Sequence, residues 1–147
     1  MIPEFVKAWD ERKHFIEDHL KAKHPDDYKE LVSWVVKMIN PDKKYDLPDP
    51  DIIYEIDDGN YQGTLVYLTP ETGYQPNEYY IVFVGYGSCS GCDTLEAVKS
   101  DSGSRMRSLT GTWGDYPPDE EAIKEYMTLA LHIVQKFKKI GGWDDIA

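Results

Sequence analysis

A chain of 147 residues is long enough to bury one hydrophobic core, and its composition is that of a single globular domain over residues 1–147. No stretch approaches the roughly 20 apolar residues of a membrane span, and the opening MIPEFVKAWD lacks the apolar centre of a secretory signal, so a cytoplasmic protein with two reduced cysteines and no membrane association is expected. The formal net charge of −11 disfavours direct binding of nucleic acid, whose phosphates require Lys and Arg.

Residues 1–40 read as a helical N-terminal part. Phe5, Trp9, Ile16 and Leu20 make one apolar stripe over 4–22. His24-Pro25 interrupts it, and Asp26 stands where an N-cap belongs. Tyr28, Leu31, Val32, Val35, Met38 and Ile39 then recur at helical spacing as far as Asn40-Pro41. The proline-rich NPDKKYDLPDP leads into three strand-like runs, Asp51 to Asp57, Tyr61 to Thr69 and Glu78 to Tyr86, which make a β-meander over 51–86. Asp58-Gly59 is a hairpin signal between the first two, and residues 70–77 form a longer second turn. In the third run Tyr80, Val82, Val84 and Tyr86 alternate with Tyr79, Ile81 and Phe83. Both its faces are apolar, which predicts a central strand covered on at least one side by helices.

A short helix is expected from about Asp93, followed by a long loop over 100–118. The final helix, 119–140, places Asp119, Glu120 and Glu121 in its first turn and Lys136, Lys138 and Lys139 in its last, as the macrodipole favours. Ile123, Tyr126, Met127, Ala130, Val134 and Phe137 form its buried stripe, His132 lies off it, and Gly141-Gly142 supplies the stop. The expected fold class is α+β: a small antiparallel β-meander packed by N-terminal helices and one long C-terminal helix.

Charge is distributed unevenly along this plan. No Lys or Arg occurs between Lys44 and Lys99, whereas that interval holds Asp46, Asp49, Asp51, Glu55, Asp57, Asp58, Glu71, Glu78, Asp93 and Glu96, with eight of the 11 tyrosines. Such a block attracts and steers a basic partner. Carboxylates pair well with arginines, and tyrosine supplies contact area at small entropic cost. The candidate partner-binding residues are Asp51, Tyr54, Glu55, Asp57, Asp58, Tyr61, Tyr67 and Glu78. Because side chains alternate in face along a strand, these cannot all serve one interface, and the hairpin tip is the firmest subset. A solvated acidic surface is the plain alternative.

The run GYGSCSGCDTLEA, over 85–97, holds both cysteines, Cys89 and Cys92. A thiol-redox site wants C-x-x-C at a helix N-terminus after a strand. The order fits, but the preceding hairpin and the adjoining Asp93 do not. Zinc would lack two ligands, and His14, His19 and His24 are spaced so that they cannot share a helix face. A phosphate cradle would use Gly85, Gly87 and Gly91, yet no Lys or Arg is adjacent, and Asp93 and Glu96 have capping-box spacing. A glycine-rich junction between strand and helix accounts for the run best. No metal, cofactor or catalytic constellation is expected, and the protein is read as non-enzymatic. A small-ligand alternative, such as sequestering a nucleotide signal in loops 85–93 and 100–118, would draw on Ser88, Ser90, Arg105, Arg107 and Trp113, with the arginines on phosphates and Trp113 stacking on a base.

VGYGSCSGCDTLEA, with YQGTLVY before it and YMTLALHIVQ after it, resembles small proteins encoded by tailed bacteriophages and prophages, over roughly residues 51–138. The resemblance brings no catalytic residue with it. It implies a phage accessory protein acting in a bacterial cytoplasm. Together with the acidic block, it leads to the expectation of an inhibitor or adaptor, DNA-mimic-like in its acidic tyrosine-rich face, that binds a basic host or anti-phage defence protein.

Overall fold

The computed structural model describes residues 2–57, 64–73, 78–85, 94–112 and 114–141. Residues 3–22 form two helices rather than the one expected: α1 (Pro3–Arg12) and α2 (His14–Ala22), meeting at Lys13. Arg12 donates from Nε and Nη2 to the carbonyls of Met38 and Ile39, at 2.8 and 3.1 Å, and so ties the end of α1 to the end of α3 (Tyr28–Ile39). The expected stripe survives the interruption at Lys13, since Phe5, Trp9, Ile16 and Leu20 are all buried. The N-cap of α3 is Asp27 rather than Asp26. Its carboxylate accepts the Glu30 amide at 2.8 Å, while Glu30 accepts the Asp26 amide in return.

α3 ends at Asn40, which is buried and fully used. Its amide nitrogen donates to the Lys44 and Pro48 carbonyls and to Thr72 Oγ1, and its oxygen accepts the Lys44 amide at 2.7 Å. One side chain therefore anchors the proline-rich connection to the sheet. Lys43 and Asp46 within it are held at φ 52° and 69°, a left-handed conformation that non-glycine residues adopt at some energetic expense.

Four antiparallel strands follow, in the spatial order β1 (Tyr54–Asp57), β2 (Thr64–Pro70), β3 (Glu78–Gly85), β4 (Lys138–Gly141). The expected α+β class is observed, with β3 in the sheet interior as its two apolar faces require. β4 is a correction to the expected 119–140 helix. The helix, α5 (Glu120–Lys136), stops when Phe137 turns to φ −58°, ψ 137° and inserts its ring against Phe5, with the centroids 5.5 Å apart. The next four residues then pair with β3.

The loop expected over 100–118 is also largely corrected. α4 runs from Thr94 to Thr110 and ends at Gly111, whose positive φ of 78° suits a helix C-terminus. Leu95, Val98 and Ser102 are its buried positions. α4 and α5 are latched together: Asp119, the N-cap of α5, accepts two bonds from Arg105 at 2.5 and 2.9 Å, and its own amide donates to Ser102 Oγ. The helices and one face of the sheet enclose a single buried cluster that includes Phe5, Trp9, Val35, Tyr67, Tyr80, Val82, Tyr126 and Phe137.

Candidate functional site

The register of the sheet sorts the strand residues into two faces. Toward the helices point Glu55, Tyr67 and Val82 in one row, Leu65 and Val84 in a second, and Thr69, Tyr80 and Lys139 in a third. On the opposite face Ile56, Val66 and Phe83 form one row, Tyr54, Leu68, Ile81 and Lys138 the next, and Pro70, Tyr79 and Ile140 the last. None of the outer aliphatic or aromatic side chains belongs to the core cluster or is packed against it, whereas Pro70 at the end of β2 is buried. Tyr54 is 55% exposed, Ile56 51% and Phe83 51%. Among the described strand residues, Lys138 is the single charge on this face, and no carboxylate lies on it.

The acidic, tyrosine-rich block therefore divides. Tyr67, expected at a partner surface, is a core residue at 1% exposure, because its register places it on the helix side. Its hydroxyl donates to Glu55 at 2.8 Å, and burial with the neighbouring carboxylate pushes its ionisation far above the usual phenol range. Glu55 is exposed at the β1 edge, on the face opposite Tyr54. Asp51 pairs with Lys43, and Glu78 pairs with Lys139 at 2.5 Å. Asp57 closes β1 opposite Leu65. Asp58 and Tyr61 lie outside the described residues. Of the described members of the candidate set, Tyr54 alone joins the outer face, where Ile56, Phe83 and Ile81 are the companions that a charge-based reading passed over. Their signal was the alternation within the two runs, apolar where Glu55 and Glu78 are not.

Of the residues of the small-ligand alternative, Arg105 and Arg107 lie among the described residues. Arg105 is committed to Asp119, with Glu121 at 3.7 Å, which leaves its guanidinium occupied rather than open to a phosphate. Arg107 lies with Ser104, Ser108 and Gly111 around a separate shallow depression at the end of α4. Ser88, Ser90, Cys89, Cys92 and Trp113 lie outside the described residues. A different cleft, of about 430 Å³, is bordered by Lys23, His24, Lys99, Gly103, Asp115 and Tyr116. His24 Nδ1 is 2.7 Å from the Tyr126 hydroxyl, and partial burial and the Lys99 ammonium both hold its ring below the usual imidazole range. Asp26 also lines the cleft, and Lys23 is paired with Asp26 and Glu30 at its edge.

Among the described residues, no helix is long and apolar enough to cross a membrane. No protein-family model matches the chain, and neither the curated proteins nor the solved structures include a match to it.

Proposed function

We propose that this chain is a protein-binding module, an inhibitor or adaptor in kind, that docks a partner on the outer face of its sheet. The observation that carries this reading is the bare apolar face on which Tyr54, Ile56 and Phe83 are each more than half exposed. Three half-exposed side chains of this size present on the order of 300 Å² of apolar surface, the scale at which patches on soluble proteins serve interactions. Charge has a different role. The net −11 steers a basic partner toward the molecule, while the face, which carries no carboxylate among the described strand residues, makes the contact. In the phage setting implied by residues 51–138, that partner is a host or anti-phage defence protein.

The test is capture from bacterial lysate by the wild type and by an Ile56→Thr/Phe83→Thr variant, which places a β-branched residue at both strand positions and leaves net charge unchanged. Equal melting temperatures, with at least a tenfold loss of specific captured protein, are expected. Binding through apolar contact also persists in part at 1 M salt, where the screening length is about 3 Å and a purely acidic interface releases its partner. Identical capture by the two proteins would defeat the proposal.

The cleft beside His24 and Lys99 supports a second reading, a small anionic ligand, since its volume falls in the range of ligand sites. A thermal-shift screen with nucleotides separates the two: a ligand that raises the melting point of wild type but not of Lys99→Gln favours the cleft.

A further inference from the structure

Resting on the reading of the outer face as a docking surface, we infer that its occupant is a single cationic amphipathic helix of another protein, apolar on one stripe and flanked by Lys or Arg. Two properties of the face select this partner.

The first is size. Four strands spaced as in any sheet span about 14 Å, and three rows of like-facing residues span about 14 Å along the strands. A helix is about 10–12 Å across, so one helix fills the width, and a diagonal of about 20 Å takes roughly 13 residues, or three to four turns. A second copy of this chain needs more. A standard stable interface takes about 800 Å² from each partner, well beyond the exposed area of Tyr54, Ile56 and Phe83.

The second property is charge. The molecule carries −11 overall, and the described strand residues put no carboxylate on the outer face itself: Glu55 is exposed at the β1 edge but directed to the other face, and nearby Asp51 is paired with Lys43. Another copy of the chain, or an anionic lipid surface, would be repelled by this field. A helix with basic flanks is attracted by it, and its apolar stripe meets Ile56 and Phe83 without burying an unpaired charge. Lys138, exposed on the β4 side of the face, gives the site a polarity. The flank over β4 tolerates a carboxylate.

Three synthetic helical peptides of equal length test this: one with a Leu stripe and Lys flanks, one with the same stripe and Glu flanks, and one with Lys flanks and Gln in place of Leu. Fluorescence anisotropy is read against the intact protein and against Ile56→Thr/Phe83→Thr, with far-ultraviolet circular dichroism and melting confirming the fold of the variant. The expected result is that the Leu/Lys peptide binds at least tenfold tighter than either control and that the variant removes this advantage. Equal binding of the Leu/Glu peptide overturns the cationic occupant while leaving the face as a docking surface. Equal binding of the Leu/Lys peptide to wild type and variant overturns the docking surface as well. Concentration-dependent dimerisation in sedimentation, abolished by the same variant, assigns the face to a second copy and overturns the helix. Flotation of the protein with phosphatidylcholine vesicles, abolished by the same variant, assigns it to lipid and also overturns it.

Discussion

Removing the charge of Asp119 should weaken the α4–α5 latch by a predictable amount and over a predictable pH range. The carboxylate is the N-cap of α5, accepting the Ala122 amide at 2.9 Å, and it takes two bonds from Arg105. Arg105 first, with the Ala122 amide and Ser102 also contributing, lowers its pKa from 3.8 to about 2 against the opposing effect of burial. A carboxyl displaced that far is worth at most about 2.5 kcal/mol of folding stability. Water reaches the pair, and screening reduces the contribution to about 1 kcal/mol. Asp119→Asn keeps a side chain that caps helices, so it should lose that 1 kcal/mol and little else. Asp119→Ala loses the cap too and should fall by about 2 kcal/mol. For a chain of this length 1 kcal/mol moves the melting temperature by about 3 °C.

The sign follows from the depressed value. The stabilisation is fully present above pH 3.8, where the unfolded carboxyl is also ionised, and disappears as pH falls toward 2. Urea titrations at pH 7, 5, 4 and 3 should therefore give parallel curves for wild type and Asp119→Asn down to pH 4, then convergence. A gap that is absent at pH 7, or one that stays constant at pH 3, refutes the assignment of this stability to the ion pair.

Other consequences are equally direct. Asn40→Ala strips the partners from the Pro48 carbonyl and the Lys44 amide around a buried position and should cost about 2 kcal/mol by urea denaturation; a loss below about 0.5 kcal/mol would show that the connection holds without it. Tyr67→Phe removes the bond to Glu55 and should cost about 1 kcal/mol, and in a spectrophotometric titration the variant should lose one of the late-ionising phenols while Tyr80 and Tyr126, also pushed up by burial, remain. His24 should titrate below 6.5 by NMR, rise on Lys99→Gln and fall further on Asp119→Asn; because the folded state favours the neutral ring, stability declines as pH drops from 6.5 toward the folded value, and His24→Gln should flatten that slope. An unmoved His24 in Lys99→Gln would show that the ammonium exerts no field on it.

What could be read from the chain depended on whether one residue type told the whole story. The stripes of α3 and α5 are apolar at helical spacing and were legible, as was the two-faced β3. α4 was not, because its buried positions include Ser102, its middle carries Gly103 and Ser104, and what stabilises it is Arg105 reaching Asp119 on another element. β4 was hidden for the opposite reason. Phe137 continues the apolar spacing of α5, so nothing local shows that its ring belongs with Phe5 rather than in another helical turn. The acidic, tyrosine-rich block misled as a composition. Tyr54 and Tyr67 count alike in a tally, yet their places in the register put one on the bare face and the other in the core.

The ladder between β3 and β4 joins residues that the chain supplies far apart, with α4 and α5 made in between. During synthesis β3 is complete well before the strand that covers its flank exists. Until Lys138–Gly141 leave the ribosome, the nascent protein presents an apolar strand with an open row of backbone donors and acceptors, the form of edge most prone to pair with a neighbouring chain. A message truncated after α5 would make that state permanent. Its product should enter inclusion bodies, although it lacks only four of the described residues of the sheet.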